Sequence, residues 1–131
     1  DLIPFRASIR QGVAGVMLSH IFYPQLDDQW PASLSPFIAD ELLRRRLGYA
    51  GLVMTDDLDM GAVVKHYDIQ TCIGQILAAN IDLALICHKG PNIEIAFEYI
   101  LKAITDSAAL KAQGLESMQR IAECKRRYLR S

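Results

Sequence analysis

Neither charge sign dominates this sequence: 14 Lys and Arg stand against 15 Asp and Glu in 131 residues, a formal net charge of −1. A surface that neutralises phosphates needs a basic excess, so nucleic acid is not expected as a partner. The one dense basic run, Lys125-Arg126-Arg127, lies in a stretch with helical spacing and reads as a solvated face. Long hydrophobic runs are missing too. No stretch approaches the ~20 uninterrupted apolar residues of a membrane span. The opening "DLIPFRASIR" lacks the charged-then-apolar order of a signal peptide, so no membrane partner is expected and the sequence reads as soluble. Cysteine is scarce. Cys72, Cys87 and Cys124 are odd in number, widely spaced and set in apolar periodic segments. That favours buried reduced thiols over a disulfide framework or a metal site, and fits a reducing compartment.

What is present is an alternation of short apolar runs with segments of helical period. Gly15–His20, Gly51–Asp56 and Asp82–His88 each run apolar without alternating and end in polar groups, the pattern of strands buried on both faces. Between the first two, Ser35-Pro36 makes a helix start: the hydroxyl can accept an orphan amide, and proline at the first position surrenders no needed donor. Phe37, Ile38, Leu42 and Leu43 then share a face, and Gly48 is placed to close the helix in the left-handed conformation. Further helices are predicted over Ile69–Ala79 and over Ile93–Ile104, with Ile93, Phe97, Ile100 and Ile104 in register. After a polar break around Asp106–Gly114, Leu115, Met118, Ala122 and Leu129 predict a last one. Helices alternating with buried strands imply an α/β fold of parallel strands joined by right-handed crossovers.

Parallel α/β sheets carry their chemistry at the carboxyl ends of the strands. Ser19 and His20 end the first run here, Thr55, Asp56 and Asp57 the second, Cys87 and His88 the third. In "GLVMTDDLDMGAV" two carboxylates stand side by side at the edge of an apolar run, where they must be solvated, hydrogen-bonded or employed. Two readings are open: one Asp caps the next helix while the other faces water, or the pair belongs to a site.

The stretch Leu42-Leu43-Arg44-Arg45-Arg46-Leu47-Gly48-Tyr49-Ala50-Gly51-Leu52-Val53-Met54-Thr55-Asp56 resembles the nucleophile signature of family 3 glycoside hydrolases: two aliphatics, a basic residue, a second charged residue two on, then glycine, three aliphatics, Ser or Thr, and Asp. The continuation "DDLDM", with "PASLSP" upstream and "VMLSH" on the preceding strand, is similar to the bacterial β-N-acetylhexosaminidase branch more than to the β-glucosidases. The resemblance implies a (β/α)8 barrel, which takes typically ~250 residues. The chain is thus expected to be a partial TIM barrel, about the last three βα units, with residues 1–131 the C-terminal portion of one barrel domain. The N-terminal portion, with its acid/base His and Asp partner, is expected to lie outside this sequence and to be the missing partner, so the chain alone is expected to be inactive.

The resemblance further implies hydrolysis of terminal β-linked N-acetylglucosamine by a retaining double displacement, with a carboxylate attacking the anomeric carbon. Asp56 matches the nucleophile by position. Asp57 is expected to support it by holding the loop or capping the helix, and Thr55 to orient the pair through its hydroxyl. His20 falls where family members line the sugar subsite. Met60 is expected beneath the subsite or in the apolar core. No cofactor and no metal ligand is implied. Peptidoglycan recycling in the cytoplasm is what the branch suggests. A non-catalytic sugar-binding or assembly half-barrel is the alternative of another class, distinguished by the lack of a proton donor beside Asp56; a β-glucosidase is disfavoured by Asp57.

Overall fold

The three apolar runs become neighbouring parallel strands, in the order β1 (Gly15–Leu18), β2 (Leu52–Asp57), β3 (Leu83–Leu85), in a computed structural model that describes residues 2–129. Helix α1 (Ile3–Arg10) precedes β1. A single 3-10 turn (Ala32–Leu34) and a π-helix (Phe37–Arg46) link β1 to β2. Helices α2 (Gly61–Val64) and α3 (Ile69–Ala78) link β2 to β3, and α4 (Pro91–Asp106) and α5 (Ala108–Tyr128) follow. The expected α/β order is therefore present, with the 3-10 turn and α2 added. The strands are shorter than expected at their polar ends: Ser19 and His20 lie beyond β1, and Cys87 and His88 beyond β3, whereas β2 extends to Asp57.

Register explains the two faces of the sheet. Gly15 pairs with Leu52, Met17 with Met54 and Leu18 with Thr55. Val53 and Thr55, both fully buried, point to the helix-covered face with Leu18. Met54 and Asp56 alternate to the other face, shared with Met17, which is 56% exposed. The central strand is thus the most buried; on the second face Leu52, at the amino end of β2, is buried, while Met54 and Asp56 farther along are only partly covered and β1 and β3 are half-exposed. The Met54 methyl lies 2.8 Å from where a Cβ on Gly15 would sit, so a side chain there would force Met54 aside.

The covered face packs on Leu34, Ile38, Ala39, Leu43, Leu58, Val63, Cys72, Ile73 and Ile76. The Ser35 hydroxyl accepts from the Ile38 amide (3.1 Å), as its place before Pro36 suggested, and Gly48 takes φ +68°. The segment between them winds more widely than an α-helix: the Leu47 amide reaches the Leu42 carbonyl five residues back, and Asp40–Arg45 and Glu41–Arg46 pair five apart at 2.9 Å each. On α4 the buried side is Ala96 with Ile100, while Ile93 and Phe97 stay exposed. The expected break at Asp106–Gly114 shrinks to one residue, Ser107, whose hydroxyl accepts from the Leu110 amide and caps α5. On α5, Leu115, Met118 and Leu129 are exposed, because the helix docks by polar groups: Gln113 Nε2 donates to the Leu77 carbonyl (2.6 Å), and Ser117 and Arg120 reach Asp82.

Asp82 ties these pieces together. Its side chain is wholly shielded from solvent; Oδ2 accepts from Arg44 (2.6 Å) and the Val53 amide (2.9 Å), and Oδ1 from Ser117 (2.7 Å) and Arg120 (2.8 Å). Arg44 also donates to the Gly51 and Asn80 carbonyls. Removing one member of a buried ion cluster leaves the others desolvated and uncompensated, at a cost of about 3–5 kcal/mol. Asp82→Ala is therefore expected to lower the unfolding free energy by about 3 kcal/mol or more, measured by urea denaturation; a loss under about 1 kcal/mol, the size typical of an exposed pair, would contradict it.

Candidate active site

The carboxyl ends of the strands gather the polar residues singled out in the sequence. Asp56 is half-buried near the end of β2 on the open face; its Oδ1 accepts from the Asp57 amide (2.8 Å), and no hydrogen bond among the described residues engages Oδ2. Asp57 is turned differently. Its Oδ1 accepts from the amides of Cys87 (3.0 Å) and Asp59 (3.1 Å), and its Oδ2 lies 3.5 Å from His88 Nδ1. The amide of Cys87, then that of Asp59, outweigh partial desolvation and hold the Asp57 carboxyl below the ordinary aspartate range. The adjacent acids therefore differ in surroundings: Asp57 stitches the loop after β3 to the end of β2, while Asp56 keeps an oxygen open.

His20 sits beside them with both ring nitrogens committed to the protein. Nε2 is 2.8 Å from the Asp57 carbonyl, which can only accept, so Nε2 carries the proton. Nδ1 lies 2.6 Å from the buried Ser33 hydroxyl, which can serve as its donor or its acceptor. The Asp57 carbonyl also accepts from the Met60 amide (3.1 Å). Thr55 does not orient the two carboxylates as expected. Fully buried on the covered face, its hydroxyl accepts from the Leu85 amide (3.0 Å), where the β2–β3 pairing is irregular between Met54 and Asp57. Met60 is 43% exposed, outside the core, and its extended backbone leads into α2.

Of the cysteines, only Cys72 is buried as expected, its thiol pushed up to about 11 by desolvation and then by Asp68. Cys87 is exposed because β3 stops at Leu85; desolvation, then the carboxylate of Asp57, raises its thiol. Sequence reasoning missed Asp59, whose Oδ1 accepts from Asn92 Nδ2 (2.8 Å) and whose Oδ2 lies 3.9 Å from His88 Nδ1. Its spacing two beyond Asp57 was the available signal. It also missed Asp27, which organises the loop between β1 and the π-helix. Burial works to raise that carboxyl, but the Ser35 hydroxyl (2.5 Å) and the amides of Gln29 and Trp30 prevail and lower it. A cavity of about 780 Å³, lined by Gly12, Tyr49, Cys124 and Arg127 among others, lies at the opposite end of the sheet, away from Asp56.

Comparison with known proteins gives concordant results. The family model described as "Glycosyl hydrolase family 3 N terminal domain" matches residues 1–130. A β-hexosaminidase of Xylella fastidiosa (strain 9a5c) is 38% identical over 88 residues, 67% of this chain and 26% of that protein. One of Thiobacillus denitrificans is 36% identical over 106 residues, 81% of this chain and 28% of that protein. Among solved structures, a glycoside hydrolase family 3 β-N-acetylglucosaminidase from Paenibacillus sp. superposes with a TM-score of 0.89 at 34% identity, covering 96% of this chain and 24% of that one. The β-N-acetylglucosaminidase from Thermotoga maritima gives 0.84 at 27% identity, covering 94% and 27%. The chain therefore spans about a quarter of the length of these relatives.

The donors around Asp57 set a pH dependence. Because its folded carboxyl lies below the unfolded value of about 3.9, its stabilisation is present above that value and lost as pH falls through the folded one. The stability gap between wild type and Asp57→Asn in urea titrations is expected to hold from pH 7 to about 5 and to shrink steadily below about 4. A gap independent of pH would contradict the assignment.

Proposed function

This chain belongs to glycoside hydrolase family 3, and from that premise we propose that it carries the nucleophile side of a retaining β-N-acetylhexosaminidase site, with Asp56 as the nucleophile. The observation that carries the reading is the contrast between the two acids. Asp56 projects from the carboxyl end of the central strand onto the open face with Oδ2 unengaged among the described residues, whereas Asp57 spends Oδ1 on two backbone amides and turns Oδ2 toward His88. A nucleophile needs a free, ionised oxygen and a fixed orientation. The Asp57 amide orients the carboxylate by its other oxygen.

In the proposed reaction the free Asp56 oxygen attacks the anomeric carbon of a terminal β-linked N-acetylglucosamine. The bond to the leaving oxygen breaks as a general acid protonates it, giving a glycosyl ester of Asp56; water then cleaves that ester with the acid acting as base, and β configuration is retained. The acid is assigned to barrel segments outside these residues, which close the open face carrying Met17 and Met54; residues 1–131 are then the C-terminal portion of the barrel. The β-hexosaminidase relatives support the sugar. His20 is assigned a positioning role, its Nε2 proton holding the Asp57 carbonyl and hence the strand end, with only its ring left to meet sugar. Thr55 fastens β2 to β3. Peptidoglycan fragments as substrate and a cytoplasmic location extend the same proposal, with the free thiols compatible with a reducing compartment.

In the active enzyme, Asp56→Asn is expected to lower turnover of aryl β-N-acetylglucosaminides by at least about 10³-fold with the fold unchanged by circular dichroism. Asp57→Asn should cost less, and near-wild-type turnover of Asp56→Asn would overturn the role. NMR of the fresh product is expected to show the β-anomer first. An initial α-anomer would make Asp56 a base instead.

A further inference from the structure

Beside Asp56, two carboxylates and an imidazole converge from the end of β2, the turn after it and the loop after β3. Asp57 Oδ2 and Asp59 Oδ2 lie 3.5 and 3.9 Å from His88 Nδ1, and one ligand atom from each of the three residues falls within 4.8 Å of the others. In each acid the second oxygen is already held: Asp57 Oδ1 by the amides of Cys87 and Asp59, Asp59 Oδ1 by Asn92 Nδ2. Each carboxylate thus turns its remaining oxygen toward the same ring nitrogen, the arrangement in which outer partners orient metal ligands. Oxygen and nitrogen ligands about 2.0–2.1 Å from a tetrahedral zinc ion stand about 3.4 Å from one another. A movement of about half an ångström brings His88 to that spacing, and its side chain, 76% exposed, is free to make it.

We propose that Asp57, Asp59 and His88 form a binding site for one divalent cation of the zinc and cobalt class. The imidazole selects against magnesium and calcium, which take oxygen ligands, and three protein ligands leave a fourth position for water. The site joins the end of β2, where Asp57 lies, and the loop after it, where Asp59 lies, to the loop before α4, where His88 lies. A bound ion therefore pins together the ends of two adjacent strands next to the proposed nucleophile. Nothing in the glycosidase chemistry assigned to Asp56 calls for it: His88 and Asp59 take no part in that reaction, and the site holds or fails independently of it.

The test uses Co2+ as a spectroscopic probe on metal-free protein, followed by displacement with Zn2+. One equivalent of Co2+ is expected to give visible absorption bands of a low-coordinate site, bleached by one equivalent of Zn2+, with a rise in melting temperature on Zn2+ addition. His88→Ala, an exposed change checked for folding by circular dichroism, is expected to lower Co2+ affinity about 100-fold or more, and Asn92→Ala, which frees the outer oxygen of Asp59, about tenfold. Absence of stoichiometric Co2+ binding, or binding by His88→Ala equal to wild type, would overturn the site.

Discussion

The structure hangs on one buried negative charge. Asp82 stands where the chain enters β3, shielded from water, and each carboxylate oxygen accepts two hydrogen bonds: from the π-helix through Arg44, from the β2 backbone through the Val53 amide, and from α5 through Ser117 and Arg120. A desolvated carboxylate is costly unless fully compensated, so those four donors must arrive together. Their arrival fixes β2 between β1 and β3 and seats α5, whose docking side carries few apolar groups. The Asn80 carbonyl, held by Arg44, and the Asn80 side chain, held by Arg120, extend the same cluster into the turn before β3, where Asn80 itself adopts φ +53°.

From that anchored amino end, β2 runs through its buried face to a second carboxylate cluster at its carboxyl end. Asp57 does for the loops there what Asp82 does for the base of the sheet, on a smaller scale and in contact with water: it collects the amides of Cys87 and Asp59 while its own carbonyl collects His20 and Met60. Between the two anchors, strand alternation leaves Asp56 on the opposite face from Thr55, with one oxygen steadied by the next amide. The adjacent acids do not compete because their side chains serve different faces and partners. The family signature gains a physical reading in the same way, since its basic residue Arg44 reaches from the π-helix to the amino end of β2 and its acid Asp56 stands near the carboxyl end.

What the sequence made legible was local. Continuous apolar runs located the strands, Ser35 and Gly48 marked the ends of a helix, and the position of Asp56 after a buried run put it at a carboxyl end. The π-winding of Phe37–Arg46 was hidden because the same residues satisfy an α-helical stripe, and only the Asp40–Arg45 and Glu41–Arg46 spacing tells them apart. The docking side of α5 was misjudged, since a reading by hydrophobicity favours Leu115 and Met118 over Gln113, Ser117 and Arg120, which touch the sheet end through polar contacts. Long-range partnerships were invisible for a simpler reason. Nothing in the chain near Asp82 announces Arg44 or Arg120, and nothing near Thr55 announces that its hydroxyl completes the ladder at Leu85, so its role was sought beside the carboxylates it immediately precedes.

The central claim is that strand alternation and the two anchors leave Asp56, alone of the clustered acids, able to bond covalently to sugar. A fluorinated N-acetylglucosaminyl fluoride, whose electron-poor ring slows hydrolysis of the glycosyl ester more than its formation, traps that intermediate in the active enzyme. Peptide mass spectrometry of the trapped protein is expected to find the sugar on Asp56. Label on Asp57 or Asp59, or stoichiometric inactivation with no label on this chain, would contradict the account.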